Sequence, residues 1–175
     1  FKVEAVNDIY GVAPATEATA LTNPPKVSSV KVTSVTASTA TLSWKAVPGA
    51  KGYVVERYSA SKKAYVSAGK TSGTSYTVKG LYSYTSYDFR VKAYFTEGED
   101  TVYSSSATKV TARTKMGKVE NLRASSKTSS SVTLSWDSVR NAKGYRIYER
   151  LNGKWKSLKT TTATKYTIKN PKVGK

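Results

Sequence analysis

The tetrapeptide Thr-Leu-Ser-Trp stands at residues 41–44 and returns, 92 residues later, at residues 133–136. Ala-Lys-Gly-Tyr at residues 50–53 returns over the same interval at residues 142–145. Repeats of this length are whole small domains, because solenoid units are only about 20 to 50 residues long. The chain of 175 residues is therefore built from copies of one small domain.

The repeat continues toward both ends of the chain. Tyr-Thr-Val-Lys at residues 76–79 returns as Tyr-Thr-Ile-Lys at residues 166–169, after a shortening of two residues. Phe-Lys-Val-Glu-Ala at residues 1–5 matches Phe-Arg-Val-Lys-Ala at residues 89–93 at every second position. One complete unit is therefore flanked by two broken ones.

We predict the complete unit over residues 24–115. Residues 1–22 then supply the last two strands (F and G) of a preceding unit, and residues 117–175 supply the first five strands (A to E) of a following one. Neither broken unit can cover both faces of a sandwich by itself, so either the protein is longer at both ends or these segments find partners. In the second case, we hypothesise strand exchange that joins residues 1–22 of one molecule to residues 117–175 of another.

Within the complete unit, apolar and polar residues alternate with the period of two that half-buried strands require. In the longest strand Tyr87, Phe89 and Val91 share one face, and Asp88 and Arg90 share the other. Seven short strands separated by Gly, Pro, Ser and Asp turns predict an all-β antiparallel sandwich with one core between two sheets. The predicted strands are residues 26–32, 41–44, 53–56, 64–68, 76–79, 87–93 and 107–112.

The joint spacing of these motifs resembles the fibronectin type III family. That family has a proline-rich start, a strand ending in Ser-Trp, a Gly-Tyr strand and a Gly-Leu-x-Pro-x-Thr-x-Tyr-x-Phe-x-Val stretch. The matching residues here are Pro24-Pro25, Ser43-Trp44, Gly52-Tyr53, Gly80-Leu81, Thr85, Tyr87, Phe89 and Val91, with Ser83 where the family usually has Pro. An immunoglobulin domain fits poorly, because it expects a cysteine pair and a Trp on the third strand, and Trp44 lies on the second.

The resemblance implies tandem fibronectin type III-like, seven-stranded antiparallel β-sandwiches. Tyr87 is similar to the tyrosine corner of such sandwiches, whose hydroxyl returns to the backbone, here near Gly80 or Leu81. We predict that nine residues are structural and lie in the cores: Trp44, Tyr53, Leu81, Tyr87, Phe89, Val91, Trp136, Tyr145 and Tyr166.

The composition argues against chemistry within the chain. It has no His and no Cys, which removes the commonest general base, the commonest zinc ligands and the most reactive nucleophile. The acidic stretch at residues 97–100 lies at a predicted hairpin tip, where charged side chains are ordinarily solvated. We predict no catalytic residue, no metal site and no cofactor, and therefore no enzyme within this chain.

Aromatic side chains outside the predicted core are candidates for stacking on sugar rings. Tyr65 and Trp155 occupy equivalent places on the short strand of successive units, and Tyr82 and Tyr84 follow the Gly-Leu turn. We predict these four as candidate glycan-stacking residues. The alternative is that they pack over neighbouring lysine stems or the sheet edge.

The net charge of +18 is unevenly placed along the chain. Residues 1–23 carry −2, residues 24–115 carry +9 and residues 116–175 carry +11. A basic surface attracts polyanions such as anionic cell-wall polymer or polysaccharide. Nucleic acid is a weaker candidate, because the basic residues are spread over several strands without the signatures of dedicated readers. No run of about 18 apolar residues is present, so we predict no membrane span.

The resemblance implies spacer and interaction modules in a secreted or cell-surface protein, and the absence of cysteine fits a bacterial one. The partners would be neighbouring domains of the same polypeptide, coupled through the short junctions at residues 23–25 and 114–117. The alternatives are a carbohydrate- or anionic-polymer-binding (adhesive) module, and accessory domains of an extracellular hydrolase whose catalytic domain lies outside this chain.

Overall fold

The computed structural model describes residues 2–7, 11–12, 14–17, 22–105 and 107–171, and every regular element in them is a β-strand. Threonine, valine and tyrosine favour such strands because they pack well on a pleated surface. The strands are β1 (Lys2–Val3), β2 (Val6–Asn7), β3 (Gly11–Val12), β4 (Thr16–Glu17), β5 (Lys31–Val35), β6 (Ala40–Ser43), β7 (Gly52–Ser59), β8 (Ala64–Thr71), β9 (Ser75–Val78), β10 (Ser86–Glu97), β11 (Asp100–Tyr103), β12 (Thr108–Arg113), β13 (Arg123–Lys127), β14 (Ser131–Ser135), β15 (Tyr145–Leu151), β16 (Lys154–Thr161) and β17 (Lys165–Lys169).

Contacts between residues divide the chain into two compact units, whose bounds differ from those of the repeat units in the sequence. The first unit comprises Phe1–Lys31, Ser43–Tyr76 and Phe89–Val110, and the second comprises Val32–Leu42, Thr77–Asp88 and Thr111–Lys175. In the first, β1 pairs with β4 and β2 pairs with β3, so these strands form a small hairpin. The described part of the chain contains no helix that is long and apolar enough to cross a membrane.

A five-stranded antiparallel sheet has the order β11-β10-β7-β8, and β12 also pairs with β10. β7 is central, because Val55 lies opposite Val91 of β10 on one side and opposite Gly69 of β8 on the other. Alternate residues of β10, including Phe89 and Val91, are fully buried. The alternation that the sequence shows therefore sets which face of this sheet is covered.

A three-stranded sheet has the order β5-β6-β9. Ala40 and Leu42 of β6 are fully buried, and the intervening Thr41 shares a hydroxyl hydrogen bond of 2.9 Å with Thr77 of β9. These two sheets carry the buried residues expected of the complete unit.

The C-terminal unit, residues 117–171, repeats this arrangement in a three-stranded sheet β13-β14-β17 and a two-stranded sheet β15-β16. Thr133 and Thr167 share a hydroxyl hydrogen bond of 2.9 Å, like their counterparts one repeat earlier. The β15-β16 pair has a register shift between Ile147 and Tyr148, and the β7-β8 pair has one at the matching place. The sequence repeat is therefore also a structural repeat, and it includes the position of this irregularity in the strand register.

One predicted strand begins later than expected, and one observed strand was not predicted. The first was expected at residues 26–32, but β5 begins only at Lys31, because Ser29 has a φ of 56° and interrupts the extended backbone. The last was expected at residues 107–112, and β12 (Thr108–Arg113) confirms it within one residue; the strand that was not predicted is β11 (Asp100–Tyr103), which also pairs with β10. Ser104 lies between β11 and β12, and its amide donates to the Ala93 carbonyl over 2.9 Å.

Most of the predicted core residues are buried. Trp44, Tyr53, Leu81, Phe89, Val91 and Trp136 are almost without accessible surface, whereas Tyr87, Tyr145 and Tyr166 are half-buried. The hydroxyl of Tyr87 accepts a hydrogen bond of 2.7 Å from the Tyr82 amide, one residue beyond the predicted Leu81. This hydrogen bond fixes the turn that leads into β10.

Candidate functional site

The turn before β10 contacts the turn before β15 through side chains of both. The guanidinium of Arg140 lies 3.6 Å from the ring centroid of Tyr82, and the Arg140 carbonyl accepts a hydrogen bond of 3.0 Å from the Ser83 hydroxyl. The Asn141 amide group donates to the Ser83 carbonyl over 2.9 Å and to the Thr85 hydroxyl over 3.1 Å. We call these five residues the junction clasp.

The connection between β12 and β13 is fixed beside the clasp. Thr114 is buried, and its hydroxyl donates to the Tyr82 carbonyl over 2.6 Å and accepts from the Thr85 amide over 3.0 Å. Tyr84 donates its amide to the Lys115 carbonyl over 3.0 Å. Buried polar groups with several partners resist displacement, so residues 114–115 leave β12 in a defined direction.

The ring of Tyr65 lies within a network on the five-stranded sheet. The centroids of the Tyr65 and Tyr58 rings are 5.4 Å apart. The guanidinium of Arg90 lies 4.2 Å from the centroid of the Tyr65 ring. Arg90 also forms an ion pair with Glu56. One face of the Tyr65 ring is therefore covered. One face of the Tyr84 ring is also covered, because the guanidinium of Arg113 lies 4.0 Å from its centroid.

Trp155 is the most exposed large aromatic residue in the described part of the chain, with 69% of its surface accessible. It is the second residue of β16 and lies opposite Arg150, as Tyr65 is the second residue of β8 and lies opposite Tyr58. Tyr148, two residues before Arg150, is 46% exposed. The predicted equivalence of Tyr65 and Trp155 is thus seen in the strand register, although their surroundings differ.

An apolar groove of about 530 Å³ lies along the C-terminal unit. Within the described residues β15 pairs with β16 alone, whereas its counterpart β7 pairs on both sides. Tyr145 is half-buried, whereas its counterpart Tyr53 is buried. The groove is lined by Val119, Leu122, Leu134, Trp136, Tyr145, Arg146, Ile147, Tyr148 and Trp155.

The family model described as Fibronectin type III domain matches residues 23–110. The chain belongs to the fibronectin type III family. Over 95% of its length it is 33% identical to Chitinase A1 of Niallia circulans, and it spans only 24% of that protein. A two-domain fibronectin type III segment of chicken tenascin is 21% identical, with a TM-score of 0.53 and 83% of each chain covered. That likeness confirms the predicted fold of tandem all-β sandwiches.

The four candidate glycan-stacking residues of this fibronectin type III chain do not form one surface. Tyr82 and Tyr84 lie on the turn before β10, Tyr65 lies on β8 and Trp155 lies on β16. An arginine covers one face of each tyrosine, and no cation lies over Trp155 within the described residues. Sugar stacking therefore remains a prediction, and Trp155 is the residue on which it now rests.

The sequence-based prediction missed the junction clasp, although the repeat contains its signal. The turn Val-Pro-Gly-Ala at residues 47–50 becomes Val-Arg-Asn-Ala at residues 139–142. Gly49 has a φ of 76° and Asn141 one of 64°, so the backbone is the same and Asn is among the few residues that tolerate it. Replacing Pro-Gly by Arg-Asn keeps the turn and adds the two side chains that form the clasp.

Proposed function

We propose that this chain consists of non-catalytic spacer and interaction modules of a bacterial secreted or cell-surface multidomain protein. The junction clasp supports this proposal most directly, because it connects the turn before β10 to the following repeat through three side-chain hydrogen bonds. A spacer acts by limiting how neighbouring domains move, and short junctions with specific contacts do so.

The strength of the clasp fits that role. Exposed hydrogen bonds contribute about 0.5 kcal/mol each, and the Arg140 stack on Tyr82 adds about 0.5–1 kcal/mol. Their sum favours one arrangement strongly over the alternatives, yet it is smaller than the stability of a typical domain. The junction would therefore bend under load before either module unfolds.

The similarity to Chitinase A1 supports a finer proposal about the neighbouring domains. That relative is a hydrolase by name, and this chain corresponds to about a quarter of its length. We propose that the modules are accessory to an extracellular hydrolase of a polysaccharide, with the catalytic domain outside this chain.

The spacer proposal is tested by measuring distances across the clasp. The chain has no cysteine, so Ser38→Cys and Ser129→Cys place two spin labels on exposed turns without background. The variant Arg140→Pro with Asn141→Gly restores the turn sequence of residues 48–49 and removes the clasp. We expect a narrow distance distribution by pulsed electron paramagnetic resonance in the natural sequence and a broad one in this variant.

Asn152→Gly is the matched control, because Asn152 also has a positive φ, 48°, in an exposed turn but lies outside the clasp. It should leave the distribution narrow. Equally broad distributions with and without the clasp would refute the spacer proposal, provided that both variants keep the thermal unfolding midpoint of the natural chain.

A second candidate function is binding of polysaccharide or anionic polymer, favoured by the exposure of Trp155 beside Tyr148 on a strongly basic unit. Stacking of sugar on a Trp ring survives high salt, whereas attraction of a polyanion is screened. We expect co-sedimentation with insoluble chitin at roughly 50 and 500 mM salt, lost in Trp155→Ala and kept in Tyr65→Ala. Binding that salt abolishes would instead indicate capture by net charge, and no binding at either salt concentration would exclude this candidate.

A further inference from the structure

The outer face of the five-stranded sheet in the complete unit has an exposed tyrosine toward each end and two lysines between them. We propose that this face binds a linear polysaccharide with sparse carboxylates, whose sugar rings stack on Tyr58 and Tyr103 and whose carboxylates pair with Lys70 and Lys92. The inference deepens the second candidate function and rests on it for the class of ligand, but it concerns a different surface from that of Trp155.

The strand register places the two lysines in one row on this face. Val54 of β7 lies opposite Lys92 of β10 on one side and opposite Lys70 of β8 on the other. The next residue, Val55, is fully buried and marks the core face, so the row lies on the outer face. Among the described residues, neither lysine is in an ion pair. Both ammonium groups are therefore available to an anionic ligand.

Tyrosine rings lie on the same face to either side of this row. Tyr94 is two residues from Lys92 on β10, and Tyr58 is four residues from Val54 on β7, so all of them point to one side of the sheet. Tyr94 lies opposite Gly52. Because Gly52 and Tyr58 are six residues apart in one strand, the two ends of the face are about 20 Å apart. Such a span fits a chain of several sugars rather than a single one.

Each end of the face has an exposed tyrosine beside a half-buried one. Tyr103 is 41% exposed, lies opposite Tyr94, and has its ring centroid 5.8 Å from that of Tyr94. Tyr58 is also 41% exposed, and its ring contacts that of Tyr65. No cation lies over the ring of Tyr58 or Tyr103 within the described residues. Exposed rings held by an aromatic neighbour are suitable platforms for sugar rings.

Gly52 allows the Tyr94 ring to lie against the sheet. A Cβ atom at this position would be 2.5 Å from the Tyr94 hydroxyl and 2.8 Å from Cζ, so the phenol end of the ring crosses β7 there. The Lys70 ammonium is 5.8 Å from the centroid of that ring, near the limit of about 6 Å for a cation–π contact, whereas Arg90 is 4.2 Å from the centroid of Tyr65. Lys70 therefore lies at the rim of the ring, where it can pair with a carboxylate of a stacked sugar.

The charge on this face fits a sparsely charged polymer. The row between the lysines and Tyr58 contains Arg90 and Glu56, which neutralise each other in an ion pair. A nucleic acid strand carries a phosphate about every 3.4 Å, so two ammonium groups and a carboxylate match its charge density poorly. A polysaccharide with carboxylates on only some sugars would place neutral sugars over the ion pair, whose polar atoms can bond to sugar hydroxyls.

Calorimetric titration with one polymer at several charge densities tests the proposal. The probes are polygalacturonate with none, some or all of its carboxyl groups methyl-esterified, and polyphosphate, which has charge but no sugar. We expect the partly esterified form to bind at both roughly 50 and 500 mM salt, because stacking is not screened, and polyphosphate to bind only at the lower concentration. The fully esterified form should bind roughly tenfold more weakly, because it cannot pair with the lysines.

Substitution of the lysines tests the charged row. Lys70→Gln combined with Lys92→Gln should weaken binding of the partly esterified polymer by roughly tenfold. Lys31→Gln combined with Lys45→Gln is the matched control, since it makes the same change of charge at exposed residues of the other sheet. The control should have little effect at the higher salt concentration, where net charge is screened.

Substitution of Tyr103 tests the stacking platform. Tyr103→Ala should weaken binding by roughly tenfold at both salt concentrations, whereas Tyr103→Phe should retain it, because the ring and not the hydroxyl makes the stack. Tyr58→Ala is the equivalent test at the other end of the face if Tyr103→Ala lowers the thermal unfolding midpoint. Trp155→Ala should leave this binding unchanged, because Trp155 is not on the face.

The proposal is overturned if the lysine pair and both tyrosine-to-alanine variants bind as the natural chain does. If Trp155→Ala alone abolishes binding, the second candidate function stands but this site does not. Equal binding of polyphosphate and polysaccharide, weakened equally by both lysine pairs, would show capture by net charge and would also overturn the proposal. A lack of binding to every form of the polymer would exclude acidic polysaccharide as a ligand at either surface.

Discussion

The complete unit and the C-terminal unit share one framework but differ in what covers it. Trp44 contacts Tyr53 at 5.3 Å between ring centroids, and Trp136 contacts Tyr145 at 5.5 Å. The framework is therefore formed by local sequence, which both repeats contain.

The difference lies on the free side of β15. In the complete unit β10 pairs with β7, and Val55 of β7 is fully buried. In the C-terminal unit no described strand takes that position, and Leu134, Tyr145 and Trp155 line an open groove. Equivalent strands of the repeat are thus buried to different extents according to whether a further strand lies beside them. Three pairs of substitutions compare these two situations, and a seventh substitution tests the junction clasp.

The largest effect is expected from removing the two buried indoles. Trp44→Ala should lower the free energy of unfolding by roughly 3–5 kcal/mol through cavity formation. Trp136→Ala should cost only about 2 kcal/mol, because the open groove lets its surroundings relax. Chemical denaturation followed by circular dichroism compares them, and equal losses would contradict the difference in cover.

Removing the tyrosine hydroxyls beneath those indoles gives a smaller effect. The Tyr53 hydroxyl accepts from the Val47 amide over 2.8 Å in a buried site, and the Tyr145 hydroxyl accepts from the Val139 amide over 2.9 Å in a half-buried one. Tyr53→Phe should cost about 1–3 kcal/mol, because it leaves a buried donor unsatisfied. Tyr145→Phe should cost about 1 kcal/mol or less, since water can replace the lost acceptor. Thermal unfolding of both variants checks the order.

The arginine over Tyr65 sharpens the comparison with Trp155. Arg90→Ala removes the ion pair with Glu56 and the stack on the ring, so it should destabilise the complete unit by about 1–2 kcal/mol. Arg150 lies opposite Trp155 on an exposed strand. Arg150→Ala should therefore change the free energy of unfolding by less than about 0.5 kcal/mol. Similar losses in the two variants would show that the exposed ring is packed as firmly as Tyr65.

A small effect on stability is also expected at the junction clasp. Asn141→Gly keeps the positive φ of the turn and removes only exposed hydrogen bonds, so the unfolding free energy should fall by less than about 1 kcal/mol. Its effect on the distance distribution across the clasp should nevertheless be large. A loss of stability with no change in distances would mean that the clasp supports the turn rather than the junction.

The strand pattern and the repeat together were enough to predict the fold class, because period-two alternation and the motif spacing are properties of the sequence itself. The first strand was predicted too early, since nothing in the composition of residues 26–32 announces the positive φ of Ser29. Strand ends depend on such single dihedral angles, and these are the least predictable local features.

The candidate site was predicted only in part. Trp155 was identified from its place in the repeat, but the arginines over Tyr65, Tyr82 and Tyr84 were not. Those contacts depend on which residues face each other across strands and turns, and alternation along a single strand does not contain that information. The clasp was missed for the same reason, although the change from Pro-Gly to Arg-Asn marked its place.

Hydrogen exchange of the backbone amides in β7 and β15, measured by NMR on dilute protein, tests most directly the claim that one repeat is closed and the other open. Amides of β7 that face β10 should exchange orders of magnitude more slowly than the equivalent amides of β15, because only the former have a strand beside them. Equal protection of the two strands in dilute protein would contradict the account, since it would mean that the edge of β15 is already covered within a single chain.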